Sequence, residues 1–69
     1  MVEVFKTNVQ RTELAKQMVS ALNNHFPFFK VNFDLEDCDK ILRVEGKEIC
    51  TQTIVDLMRV KGIECEVLD

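Results

Sequence analysis

FKVNFDLEDCDKILRVEG, residues 29–46, is the stretch that decides the fold. Phe29, Val31 and Phe33 alternate with Lys30 and Asn32, the two-residue period of a strand with one buried face. Asp34, Glu36, Asp37 and Asp39 follow, carboxylates packed too densely for a core and well suited to a solvated turn. Lys40 to Glu45 resumes an apolar pattern through Ile41, Leu42 and Val44, and Gly46 ends it. The stretch predicts two antiparallel strands joined by an acidic hairpin.

On either side of the hairpin lies a helix pattern and then a strand pattern. Upstream, Leu14, Met18, Ala21 and Leu22 fall at i, i+4, i+7 and i+8 within Arg11 to Asn24, one stripe of an amphipathic helix with Thr12 or Gln10 near its start. Pro27 lacks an amide hydrogen and restricts its predecessor, so this helix stops by His25 or Phe26. Val2 to Lys6 reads as a first strand, its adjacent Val4 and Phe5 leaving the inward face open, and Thr7-Asn8 breaks it. Downstream, Ile54, Val55, Leu57 and Met58 mark a second helix with Thr51 or Thr53 near its start. Gly62 suits a left-handed terminus. Ile63, Cys65 and Val67 alternate with Glu64 and Glu66 as a last strand. The order β-α-β-β-α-β implies an α+β sandwich, a four-stranded antiparallel sheet covered on one face by two helices. A single domain, residues 1–69, accounts for the whole pattern.

Composition narrows the function. A chain of 69 residues buries only about 60% of its unfolded surface, too little to hold both a core and a deep substrate cleft, so an elaborate enzyme is not expected. Lys plus Arg number 9 against 12 Asp plus Glu, a net charge of −3 that lacks the basic stripe of a nucleic-acid binder. No run approaches the ~20 apolar residues of a membrane span. Met1 to Lys6 has no signal-peptide layout, so a cytoplasmic location without membrane insertion is expected. Cys38, Cys50 and Cys65 are an odd number without paired spacing, which favours free thiols over a disulfide framework.

With this order in place, the chain resembles the heavy-metal-associated domain family, the ferredoxin-like fold of small copper chaperones and of the N-terminal domains of metal-transporting ATPases. The resemblance spans essentially the whole chain. It rests on Phe5-Lys6-Thr7-Asn8-Val9, on Ala21-Leu22 with Phe26-Pro27, and on Phe33-Asp34-Leu35-Glu36. Ile54-Val55 with Met58, and Gly62-Ile63-Glu64-Cys65-Glu66-Val67-Leu68, complete it. The family carries M-x-C-x-x-C across the first loop and helix start, where two thiolates clasp a soft ion such as Cu(I). Aligning Val9 with the family methionine places Arg11 and Leu14 at the two cysteine positions. Neither replaces a thiolate: soft cations need a polarizable anionic ligand, Arg brings a fixed positive charge, and Leu brings hydrocarbon. The resemblance therefore implies a domain that has lost the family's metal site, with no cofactor.

Other residues offer weaker chemistry. In the family's topology Cys38 sits in the hairpin and could join Asp37 or Asp39 in a replacement metal site, although a thiolate there meets like-charge repulsion. Cys65 aligns with an inward small residue and reads as core filler. Cys50 precedes the second helix, whose N-terminus favours a thiolate. His25, near a helix C-terminus without a Cys or His at ligand spacing, suits capping better than ligation. Thr7, Asn8, Gln10, Arg11 and Thr12 could cradle a small anion, a loop that distantly resembles acylphosphatase but lacks its glycine-rich setting. Glu64, Glu66 and Asp69 read as solubilising acids near an edge strand. The expected function is a small binding or protein-interaction module, through a partner protein or self-association, with Arg11 and Lys61 set beside Asp37 and Asp39. The first alternative is metal binding through Cys38, and the second an anion-binding or acylphosphatase-like activity.

Overall fold

The computed structural model describes residues 1–68, so the acid Asp69 lies outside the described residues. Along the chain run β1 (Val2–Thr7), α1 (Thr12–His25), β2 (Lys30–Asp34), β3 (Ile41–Glu45), α2 (Thr51–Val60) and β4 (Cys65–Leu68). The strands form one sheet in the order β2-β3-β1-β4, every neighbouring pair antiparallel. This is the ferredoxin-like α+β arrangement that the element order implies.

Strand alternation settles which face is covered. Cross-strand register aligns Val67, Phe5, Leu42 and Phe33 in one row, with Val44 beside Val31 in the next. Phe5, Leu42 and Val44 in these rows are fully buried. Val4 therefore points to the opposite, uncovered face, which resolves the ambiguity of the adjacent pair Val4-Phe5. Both helices lie on the Phe5 side: Ala15, Met18 and Leu22 of α1 and Ile54 and Met58 of α2 share its core. Each fully buried large apolar side chain contributes about 1.5 to 3 kcal/mol, so this layer is the main source of cohesion.

The helix ends differ in detail from the sequence pattern. Arg11, extended at φ −109° and ψ 136°, occupies the N-cap of α1 without a side-chain cap bond, and Thr12 is the first helical residue. The buried stripe centres on Ala15, Met18 and Leu22, while Leu14 and Ala21 flank it, half-buried. The helix is thus rotated slightly from the phase that starts the stripe at Leu14. Its end falls as Pro27 requires, the Phe26 N–H donating to the Leu22 carbonyl at 2.7 Å. Cys50 is the N-cap of α2, and Thr51 stands at the start of the helix as expected. At its other end Gly62 adopts φ 80°, while Ile63 N–H reaches back to the Met58 carbonyl at 2.9 Å, a closure that favours glycine. Gly46 also has a structural reason: a Cβ there would run into the Phe29 ring. No helix among the described residues is long and apolar enough to cross a membrane.

Candidate functional site

Three connections meet at one end of the sheet: residues 8–11, 35–40 and 61–64. The bonds between them begin at Thr7, the last residue of β1 and 7% exposed. Its N–H donates to the Asp39 carbonyl at 3.1 Å and its hydroxyl to the Lys40 carbonyl at 2.6 Å. The same hydroxyl oxygen accepts from Val9 N–H at 3.2 Å, so a single threonine ties the first loop to the hairpin. Asn8 ties it to the turn before β4. Its N–H donates to the Glu64 carbonyl at 3.3 Å, and its Oδ1 accepts from Glu64 N–H at 3.1 Å. Thr7 and Asn8 thus spend their side chains on these staples, which leaves Gln10, Arg11 and Thr12 of the anion cradle that the loop composition suggests.

The acidic hairpin is built by its own carboxylates. Asp34 Oδ1 accepts from Glu36 N–H at 3.2 Å and Asp37 Oδ1 from Asp39 N–H at 2.8 Å, the local turns for which Asp is suited. Lys40 closes the loop at φ 48°, its N–H donating to the Asp37 carbonyl at 3.0 Å and its ammonium to the Leu35 carbonyl at 2.9 Å. Nothing in the sequence marks this position, because lysine carries no preference for a left-handed backbone. Lys6 approaches Asp39 at 3.8 Å, across half-exposed side chains. An exposed pair of this kind contributes little stability and serves chiefly to orient charge.

At the positions the family resemblance assigns to the metal clasp, Val9 is fully buried, Arg11 is exposed and Leu14 packs against the core. Elsewhere at this end, ligand atoms of Asp37, Cys38 and Asp39 lie within 4.8 Å of one another. This trio offers one sulfur and two carboxylates on a solvated loop, a mixed donor set that suits neither a soft ion nor a hard one well. Arg11 and Lys61 are exposed and make no ion pair among the described residues; the cation that meets the hairpin acids is Lys6. Lys61 caps α2, where its N–H donates to the Leu57 and Met58 carbonyls.

The remaining thiols are separated by environment. Cys50 is exposed, and the adjacent polar groups of Thr53, first its side chain and then its backbone, hold its thiol below the usual range. Cys65 is half-buried against the core; burial, with a smaller effect of Glu66, pushes its thiol up to about 11. It behaves as a small packing residue and an inert thiol. His25 ends α1 exposed, its ring tilted 6.2 Å from that of Phe26, and donates no side-chain hydrogen bond among the described residues. Around Glu64 and Cys65 run two shallow clefts open to solvent, one reaching Arg59 and the other Lys6.

No family model, curated protein or solved structure matches the chain.

Proposed function

We propose that this chain is a heavy-metal-associated-like domain whose thiolate clasp has been replaced, and that it works as a protein-interaction module through the end where the three connections meet. One observation carries the reading: Thr7 and Asn8 staple the first loop to both neighbouring connections, giving a fixed surface on which exposed Arg11 and Lys61 accompany the carboxylates of the hairpin. Mixed charge held on a stapled surface orients a charged partner while adding modest affinity. Charge reversal by Arg11→Glu together with Lys61→Glu tests this. Partner capture should fall while thermal stability stays nearly unchanged, because both side chains are exposed. Unaltered capture refutes the assignment and moves attention to the uncovered sheet face.

A second reading has its own support in the grouping of Asp37, Cys38 and Asp39. On this reading the chain holds a metal through ligands foreign to the family motif. Titration of reduced monomer with Cu(I) against a moderate thiol competitor, followed by native mass spectrometry, separates the two. The interaction reading expects no retained ion, since the thiols are scattered. A tight one-to-one complex lost in Cys38→Ser would favour the metal reading.

A further inference from the structure

We propose that the free edge of β2 is a self-association surface, occupied by β2 of a second copy of this chain in antiparallel pairing centred on Asn32. The sheet leaves two edges, β2 and β4. Hydrogen-bond parity shows what β2 presents there. Gly46 N–H donates to the Met1 carbonyl, so in the β1–β3 ladder Leu42 and Val44 turn their backbone groups toward β1, and Ile41, Arg43 and Glu45 turn theirs toward β2. Their partners Asp34, Asn32 and Lys30 face β3 in return. Val31 and Phe33 therefore point their N–H and C=O groups outward, where no strand of this chain meets them.

The sequence Lys30-Val31-Asn32-Phe33-Asp34 is self-complementary when a copy runs antiparallel to it. A two-fold axis at Asn32 sets Lys30 opposite the second copy's Asp34, and Asp34 opposite its Lys30. Val31 and Phe33 then exchange backbone hydrogen bonds with their opposite numbers Phe33 and Val31. The charged pairs fall at the non-hydrogen-bonded positions, where facing side chains approach most closely. On the covered side, the half-buried Val31 and Phe33 extend the apolar layer across the axis. Neither Lys30 nor Asp34 has an ion-pair partner among the described residues, although Glu45 stands across from Lys30 on β3. Beside this edge Phe33 and Leu35, with Ala15 and Val19 of α1, line a cleft open to solvent.

The other edge lacks this match. An antiparallel pair of β4 strands about Glu66 sets that carboxylate against its own copy, and like charges directly opposite are destabilising. Pairing β2 to β4 is heterologous and does not close into a dimer. The β2 pair is isologous and closed. This inference concerns an edge strand and does not depend on Arg11 or Lys61, so it and the proposed function can fail separately.

Sedimentation and light scattering of the reduced chain should show mass rising from monomer towards dimer between about 10 μM and 1 mM, the regime of a small interface. Lys30→Asp leaves carboxylates at both positions and Asp34→Lys leaves ammonium groups at both; each alone should weaken association about tenfold. The double variant, or a mixture of the two single variants, restores opposite charges and should restore association. Thermal melts check that every variant is folded, and Asp34→Asn, which keeps the acceptor for Glu36 N–H, separates loss of charge from loss of the turn. In the wild type, amide exchange at Val31 and Phe33 should slow as concentration rises. A chain that stays monomeric at about 1 mM overturns the proposal, since even weak specific interfaces are populated there. Association that the single variants leave intact, or that the charge swap does not restore, overturns it equally.

Discussion

Thr7 shows how much one side chain can hold together. Its hydroxyl donates to the Lys40 carbonyl and accepts from Val9 N–H in a site nearly closed to water, so Thr7→Val keeps the shape and removes both bonds. Urea denaturation should show a loss of about 1 to 3 kcal/mol for Thr7→Val and much less for Thr7→Ser, the penalty of stranding buried polar groups. A larger loss for Thr7→Ser than for Thr7→Val would mean that methyl packing, not the hydroxyl, matters. The sequence marked Thr7-Asn8 as a break after the first strand; it did not mark the partners 33 and 56 residues away, because long-range bonds leave no local pattern. The cysteines were more legible. Cys50 before a helix and Cys65 in a strand alternation point to opposite environments, and the structure separates them in that sense. At neutral pH, iodoacetamide should modify Cys50 well before Cys65. The Cys65 thiol is raised from 9.0 to about 11, so between those values the unfolded chain has released a proton that the folded chain still binds. Stability therefore falls as pH rises through that window, and Cys65→Ala should flatten this part of the pH–stability curve; an unchanged slope would assign it to other groups.

At the scale of elements, what was legible followed from period and punctuation. Residues 29–46 gave the hairpin because two alternating runs enclose a carboxylate turn, and Pro27 and Gly62 placed the two helix ends within a residue or so. Helix phase was harder to read. Leu14 and Ala15 are separated by about 100° around the helix axis, and hydrophobicity alone ranks leucine the better core candidate; yet Ala15 is buried and Leu14 half-buried. A small residue at the centre of the stripe lets α1 approach the sheet, a contact that no single-sequence pattern reports. The consequence is measurable. Met18→Ala removes a side chain 3% exposed and should cost about 2 to 5 kcal/mol, whereas Leu14→Ala should cost about 1 to 2. A larger loss at Leu14 would restore the phase centred on that residue. The hairpin's closing residue was illegible for a different reason: Lys40 takes φ 48° because its N–H, carbonyl and ammonium are all bonded, and context overrides its intrinsic preference.

Across the whole molecule, connectivity decides which residues meet, and the β-α-β-β-α-β order brings the first loop, the hairpin and the turn before β4 together at one end of the sheet. What the sequence did not reveal is which charges pair there, Lys6 with Asp39 rather than Arg11 or Lys61. The same geometry frames a test of the family resemblance. Arg11 is the extended N-cap of α1 and Leu14 lies in its first turn, three positions later, so Arg11→Cys with Leu14→Cys would place two thiols where the helix N-terminus favours thiolates. The double variant should retain Cu(I) against a thiol competitor that strips the parent chain. Gain of binding should come with loss of stability, because Leu14 leaves the flank of the core: about 1 to 2 kcal/mol lowers the melting temperature of a domain this size by roughly 4 to 16 °C. Cys50 and Cys65 stay as internal controls, so binding must survive their replacement by serine and alanine. A folded double variant that holds no copper would remove the support for a family clasp at this loop, while leaving the interaction surface to be judged by the charge reversals at Arg11 and Lys61.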